Sequence, residues 1–555
     1  MAKVIIREAV QVPPGKRAKG FNLPKPAKPD ANFSQRNDPG KSWKGFRRIC
    51  MNLAHNLETS AQFFPDYPAV RERDRETTYG ELNERANRVA SALVGLGIVP
   101  GDLVALCAPN SADWMAVYFG VLKAGAVATT LSSLLTGVEF SRLISHAKPR
   151  VVYADETKLA SLQSVRESAG VETIICPDGD TDLTTFMAKG SPSFRIVERD
   201  RRDAIAVLYT GGTTGFPKGV MLTQEGMDFS CQSNLLYERY CHTDFSLCFL
   251  PFNHVFGQIY IMNPTILCGG CLELMHGFDM DQVLWLLDQK RLTRFYAVPT
   301  IFTRLINVPD ISRRFEKVRY CFSGGAPMAT GILKQWRDLT GITIADGYGL
   351  TECMPITYNC YHLEYHVPGS VGRPVFGVEM QIRDEEGREV SQGTKGEISV
   401  RGPNVMKGYL HDPESTEKTF WSDGWLRTGD VGVVDMEGFV YIVDRLKDLI
   451  ITGGENVYPR EVEEALYTRT EIEDCAVVGV PDKEWGEKVV AYIVPRKEQK
   501  LNAADLNAFL KVQLSSFKIP KEYLIVPELP KSPQGKILRK EVRKLYNESG
   551  FSRIS

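Results

Sequence analysis

The sequence predicts a layered α/β protein followed by a smaller α+β unit, and three observations carry that reading. From about residue 50 to about residue 370, short apolar runs alternate with helical patterns, which argues for mainly parallel strands covered by helices. After about residue 370 the texture becomes β-rich, with short alternating strands. The C-terminal stretch then mixes strands with helices again. A length of 555 residues sets a prior of roughly three to four folding units.

Residues 12–40, VPPGKRAKGFNLPKPAKPDANFSQRNDPG, are rich in Pro and Lys and too poor in apolar groups for a core, so they read as an extended arm. DLVALCA (102–108) is a buried strand, and PNSADWMAVYFGVLKAG (109–125) a helix that ends in glycine. RVVYADE (150–156) and VETIICP (171–177) repeat the strand pattern. AIAVLYT (204–210) runs into a Gly/Thr loop, and VRYCFSG (318–324) into a Gly-Ala-Pro turn with a helix through Trp336. GVEMQIRDEEG (377–387), GEISVRG (396–402) and GFVYIVDR (438–445) form the β-rich part. Pro459 opens a helix in PREVEEALY, where its missing N–H costs nothing. CAVVGVPD (475–482) and KVVAYIVP (488–495) are strands, and DLNAFLKVQL (505–514) is a helix.

Composition excludes several classes. Lys+Arg of 67 against Asp+Glu of 68 argues against a dedicated nucleic-acid binder. The 12 cysteines are too sparse for a disulfide scaffold and sit in apolar runs (Cys107, Cys176, Cys321), as reduced thiols do. The first residues lack an apolar signal region, so the Asn32 and Asn547 sequons carry no weight. No run is long and apolar enough for a transmembrane helix. The expectation is a cytoplasmic protein, with peripheral membrane contact compatible.

Four stretches carry chemistry. LYTGGTTGFPKGVMLT (Leu208–Thr223) follows a buried strand with glycines that let the backbone approach a polyphosphate, hydroxyls that add donors, and the Lys218 charge. It is not a Walker A loop, and a plain hairpin is its bland reading. IADGYGLTEC (Ile344–Cys353) sets Tyr348 between two glycines, with Thr351 and Glu352 beyond. A ring can stack on a base and a carboxylate can hold Mg²⁺. TGDVG (Thr428–Gly432) and DRLKDLIITGGENVYP (Asp444–Pro459) offer Asp430 and Arg445 to ribose or phosphate, or to each other as a surface pair. KSPQGKILRK (Lys531–Lys540) is a basic loop before a short helix whose Leu538, Val542 and Leu545 share a face; a solvated tail is the bland alternative.

In this order and spacing, the four stretches resemble the adenylate-forming (ANL) superfamily over about residues 50–545, and most closely its fatty-acyl and aryl acyl-CoA synthetases. The resemblance implies a large N-terminal domain, 50–446, of two α/β subdomains (about 50–200 and 201–369) and a β-barrel-like subdomain (370–446). The arm would be 1–49. A small mobile α+β domain, 447–555, would rotate about Lys447. ATP, Mg²⁺ and coenzyme A are the implied cofactors and co-substrates, and a carboxylic acid the implied partner. Thr210, Gly211, Gly212, Thr213, Thr214, Gly215 and Lys218 would form the phosphate loop. Gly324, Gly325, Ala326 and Pro327, with Asp346, Gly347, Tyr348 and Gly349, would cradle adenine. Thr351 would contact the α-phosphate, and Glu352 with Thr214 would hold Mg²⁺. Asp430 and Arg445 would bind ribose. Lys536, Lys218, Glu352 and His254 are the implied catalytic groups, and Gly453 and Gly454 would line the CoA tunnel. His254, Val255, Phe256, Gly257, Val298 and Gly324 would wall the acyl pocket. Gly211 departs from the Ser that many relatives carry, which removes one hydroxyl.

Other candidates fade. Cys268-Gly-Gly-Cys271 has no second CxxC and reads as a turn in a hairpin-like stretch. His362 and His366 read as a surface loop, since the Glu between them is misplaced for a zinc helix. Ser323 lacks a nucleophile elbow. An amino-acid adenylating domain would need an acid near Leu250-Pro251, where Asn253, His254 and Gln258 stand. A luciferase-like oxygenase would carry Lys in place of Ile451. A non-catalytic nucleotide-binding scaffold would not need both Lys218 and Lys536. The expected reaction is AMP-forming acid–CoA ligation. A medium or long fatty acid leads as substrate, and an alicyclic or aromatic ring acid follows, in either direction of net flux.

Overall fold

The computed structural model describes residues 50–73, 75–210, 217–326, 328–359, 366–497, 499, 501–531, 537–546 and 552–554. All of these fall in the compact unit Ile49–Ser555. The arm, the loop residues 211–216, Pro327, His362 and Lys536 lie outside the described residues.

Two large sheets carry the first part of the chain. The seven-stranded sheet runs in the order 408–409, 218–223, 204–210, 127–130, 103–107, 151–154 and 173–175. Its five strands from 204–210 to 173–175 are parallel, and 218–223 returns antiparallel beside 204–210. The nine-stranded sheet has a parallel centre, 68–72, 271–274, 245–248, 294–297, 320–323 and 344–350, with antiparallel strands at both edges. Central strands such as Tyr320–Ser323 and Arg294–Ala297 are buried throughout, which is why they read as unbroken runs and not as alternating ones. Helix Ala112–Lys123 is buried except at Asp113 and is capped by the Ser111 hydroxyl, which accepts from the Trp114 N–H. The Lys123 ammonium at its end donates to Asn83 and Asn87, and burial lowers its pKa to about 8.

A four-stranded antiparallel sheet follows, 379–383, 396–401, 426–434 and 440–445. The C-terminal part is a mixed sheet in which the long strands Ile472–Asp482 and Gly486–Pro495 pair antiparallel. Alternation along these strands buries both faces. Val477, Val489 and Ile493 pack with the helices Pro459–Tyr467 and Ala503–Gln513, while Val478, Val480 and Tyr492 pack with Val542.

Two local readings differ. Cys268 and Cys271 do not sit in a hairpin. Cys268 ends helix Asn263–Leu267 and Cys271 opens strand Cys271–Leu274, with Gly269 at φ +77° making the turn. The Cys268 thiol donates to the Thr265 carbonyl at 3.3 Å, and burial pushes its pKa up to about 12, so it is an inert thiol. Leu538 precedes helix Arg539–Leu545 and is 39% exposed, so it does not share the buried face of Val542.

Candidate functional site

Strand Ala204–Thr210 and strand Lys218–Thr223 bracket the Gly/Thr turn, with Lys218 directly opposite Thr210. The two flanking strands are thus paired with each other, with 218–223 lying between 204–210 and 408–409. The Lys218 ammonium lies 4.7 Å from the centre of the Tyr409 ring. The Tyr409 hydroxyl donates to Glu352 Oε1 at 2.9 Å. One buried aromatic therefore fixes the lysine by cation–π attraction and the carboxylate by a hydrogen bond. Burial and the Glu352 charge push the Tyr409 pKa up, so the hydroxyl stays a donor.

Glu352 stands in the tight turn of a hairpin between Ile344–Leu350 and Cys353–Asn359, next to Thr351. The two glycines around Tyr348 have packing reasons. A Cβ at Gly347 would lie 2.7 Å from the Thr357 carbonyl oxygen, and one at Gly349 would lie 3.3 Å from that of Cys353. Tyr348 donates its hydroxyl to Asp430 Oδ2 at 2.6 Å. Desolvation of that hydroxyl and the Asp430 charge beside it raise its pKa.

The antiparallel register of strands Leu426–Val434 and Val440–Arg445 sets Asp430 opposite Arg445. Arg445 Nε lies 3.0 Å from Asp430 Oδ1, and Asp430 is only 3% exposed. Burial opposes the Arg445 charge, but Asp430 and Tyr348 outweigh it and raise its pKa. Tyr348, Asp430 and Arg445 form one connected group drawn from two sheets.

Gly324, Gly325 and Ala326 follow strand Tyr320–Ser323, with Gly325 at φ +81°. A Cβ on Gly324 would meet Phe322 at 3.0 Å and Phe256 at 3.2 Å. Val298 is buried just ahead of helix Pro299–Leu305, across from Gly325. His254 is half-buried, and its Nδ1 accepts from the Phe256 N–H at 3.2 Å, which leaves the neutral ring's proton on Nε2. Val255, Phe256 and Gly257 then enter a π-helical turn, Phe256–Met262, a geometry that recurs at functional sites.

Lys447 lies in the short turn Leu446–Asp448 directly after Arg445. Gly453 and Gly454 form the tip between strands Ile450–Thr452 and Glu455–Val457, at φ +59° and +84°.

Sequence reasoning missed four groups. Tyr409 carried no signal beyond a glycine–tyrosine pair. His366 is in a loop, but it is half-buried, with Nε2 3.6 Å from Asp346 Oδ1. Trp485 packs against Gly453, since a Cβ on Gly453 would lie 2.7 Å from its ring. Arg539, inside the basic run, pairs with Asp444, Asp448 and Glu463 and so ties the segment after Lys536 to the strand of Arg445. Arg539 is thus half-buried among ion pairs and is not part of a solvated tail. Among the described residues no cluster of three or more His, Cys, Asp or Glu could hold a metal.

Glu352 and the Gly324 turn lie beyond the carboxyl ends of strands, and Lys218 stands opposite Thr210 at the carboxyl end of strand Ala204–Thr210, the edge where open α/β sheets bind ligands. Cations beside glycine-lined backbone there suit a nucleotide polyphosphate, which defines the class as a nucleotide-dependent enzyme. Comparison with known proteins narrows it. Residues 57–410 match the AMP-binding enzyme family, and residues 461–536 match the AMP-binding enzyme C-terminal domain. The chain belongs to the AMP-binding enzyme family and is an enzyme of its acyl-CoA synthetase branch. A feruloyl-CoA synthase of an Amycolatopsis species is 35% identical over 490 residues, 88% of this chain and 97% of that protein. A long-chain-fatty-acid–CoA ligase of Bacillus subtilis is 34% identical over 521 residues, covering 88% and 93%. The crystal structure of ATP-bound MatB from Rhodopseudomonas palustris superposes with a TM-score of 0.85 at 34% identity, covering 90% of this chain and 99% of that one. Among the described residues, no helix is long and apolar enough to cross a membrane.

Proposed function

We propose that the protein is an AMP-forming ligase that joins a hydrophobic carboxylic acid to coenzyme A. A carboxylate oxygen attacks the α-phosphorus of ATP, pyrophosphate leaves, and an acyl-adenylate remains. The thiol of CoA then attacks the acyl carbon, and AMP departs. The observation that carries this reading is the Lys218–Tyr409–Glu352 linkage. It holds a cation and a carboxylate at the mouth of a Gly/Thr hairpin, as charge stabilisation on a polyphosphate requires.

Each group has a task. Tyr348 offers a ring face to adenine while its hydroxyl is held by Asp430. Asp430 and Arg445 take the ribose hydroxyls. Gly324, with no Cβ, lets the nucleotide and the acyl group lie against backbone. His254 stands between carboxylate and pocket, with its Nδ1 held by the Phe256 N–H. Thr210 to Gly215 and Lys536 complete the phosphate contacts.

Glu352 suits a magnesium ion, because Tyr409 occupies one carboxylate oxygen and orients the other. Mg²⁺ commonly takes only one or two protein carboxylates besides substrate phosphates. Thr214 is the second candidate ligand. When bound, the ion would neutralise phosphate charge.

Residues 447–555 serve as the mobile domain, turning about Lys447 to exchange Lys536 for the Gly453–Gly454 tip. The test is direct: with ATP, Mg²⁺, CoA and a panel of acids, the protein releases AMP and pyrophosphate in an acid-dependent manner. Release of ADP and phosphate refutes the reading.

A further inference from the structure

We propose that His366 is a positioning residue that holds the Asp346 carboxylate as an acceptor for the 6-amino group of adenine, and so selects ATP over nucleotides with a 6-oxo purine. The inference rests on the adenine cradle of the proposed function and adds to it a histidine that the sequence left in a surface loop.

The backbone sets His366 in place. Strand Cys353–Asn359 pairs antiparallel with strand Ile344–Leu350, and Asn359 stands directly opposite Asp346. Asn359 is fully buried, and its carboxamide grips the chain again where it returns. Its Nδ2 donates to the Val367 carbonyl at 2.9 Å, and its Oδ1 accepts from the Val367 N–H at 3.0 Å. Nδ2 also donates to the Ser370 carbonyl at 3.0 Å. The chain is thus pinned one residue beyond His366, beside the cross-strand neighbour of Asn359, which is Asp346.

The polar atoms gathered there are unsatisfied. His366 Nε2 lies 3.6 Å from Asp346 Oδ1, too far for a hydrogen bond. Both atoms are closed to solvent and, among the described residues, neither has a hydrogen-bond partner. The two side chains are only 11% and 16% exposed. On the other side of Asp346, the parallel register sets Ser323 beside it, and register partners share a face of the sheet. Ser323 is 2% exposed, and its Oγ is likewise buried and without a partner. Three orphaned polar atoms on neighbouring segments, next to Gly324, are a cost that folding alone does not explain. A nucleotide base that engages the carboxylate explains them. A shift of about 0.5 Å brings Nε2–H within reach of Oδ1, which fixes the direction of the carboxylate.

That direction matters for the choice of base. Adenine carries an amino donor at position 6, and hypoxanthine carries an oxo acceptor there. A carboxylate only accepts, so it binds the first and repels the second. Hydrogen bonds to an ionised acceptor are the stronger kind, and a site built around one rejects the analogue that cannot make it.

The experiment uses the full chain and reads binding apart from turnover. Calorimetry with ATP and with ITP, without acid or CoA, measures base selection. Acid-dependent AMP release then gives kcat and KM for ATP. The unaltered protein should bind ATP about 10- to 150-fold more tightly than ITP, the worth of a hydrogen bond to a charged group. His366→Ala should weaken ATP binding by about 5- to 10-fold and leave ITP within about twofold, with the loss appearing in KM and not in kcat. His366→Gln, which keeps a donor, should recover part of the loss. His366→Phe, which fills the site without a donor, repeats the test should the alanine variant not fold. A histidine with only a structural role would weaken both nucleotides alike. Equal loss for ATP and ITP overturns the inference, as does ITP bound by the unaltered protein as tightly as ATP. A glutamine variant that recovers nothing also overturns it. ATP selection that narrows in His366→Ala, in a protein that releases no acid-dependent AMP, removes the ligase reading and upholds the role of His366.

Discussion

Replacing Gly453 by Ala separates the CoA-dependent step from adenylation. Gly453 sits at φ +59°, where an L side chain meets its own backbone. Its added Cβ would also stand 2.7 Å from Cε3 of Trp485. That ring is 43% exposed and lies 5.2 Å from the Lys521 ammonium, so it can swing outward at modest cost. Left-handed strain of about 1–2 kcal/mol and overpacking at the low end of about 1–3 kcal/mol together give roughly 2–3 kcal/mol. Gly454, at φ +84°, has nothing within 4 Å of its Cβ position, so Gly454→Ala carries about 1–2 kcal/mol of strain alone. Urea unfolding should rank the two variants in that order, and Trp485→Ala should remove the difference. Because the tip is read as lining the CoA path, Gly453→Ala should slow acyl transfer from supplied acyl-adenylate to CoA by about tenfold or more, which is about 1.4 kcal/mol of barrier. Pyrophosphate exchange, which reports adenylation, should stay within about twofold, a change of only about 0.4 kcal/mol. Equal slowing of both steps would mean that the tip does not enter the CoA path, and the assignment of Gly453 and Gly454 would fall.

The mirror variant, Lys536→Ala, should lower pyrophosphate exchange by about 10²–10³-fold and leave transfer from preformed acyl-adenylate nearly unchanged; equal loss in both half-reactions would refute the domain-rotation account. A pH test addresses the buried Glu238, whose pKa is pushed up to about 7 by desolvation, with Arg294 and the tyrosine hydroxyls opposing. Because the folded pKa is raised, the stability tied to the protonated carboxyl is complete below about pH 4.5 and is lost as pH rises through about 7, a swing on the order of 3 kcal/mol. Unfolding free energies measured between pH 5 and 8 should therefore fall less in Glu238→Gln than in the unaltered protein, and parallel slopes would refute the assignment.

Much of the fold is legible in the sequence because it is set locally. DLVALCA, AIAVLYT and VRYCFSG are apolar runs long enough only for buried strands, and each is one. Pro459 opens a helix because its fixed φ and missing N–H fit only a first turn. Leu538 misled because periodicity alone extends a helix face past the point where the helix begins.

The sequence by itself thus determined the class of the sheets and the family, since each of these is written in residues adjacent along the chain. Only the tertiary structure decided that Tyr409 joins Lys218 to Glu352, that His366 reaches toward Asp346, and that Arg539 is bound among Asp444, Asp448 and Glu463. It also decided the buried aromatic cluster that gathers Tyr237, Phe256, Tyr260, Phe322 and Tyr358 from segments far apart in the chain. The physical reason is that side-chain contacts across sheets depend on register and on packing between elements far apart in the chain. Neither leaves a periodic or compositional mark in any one segment.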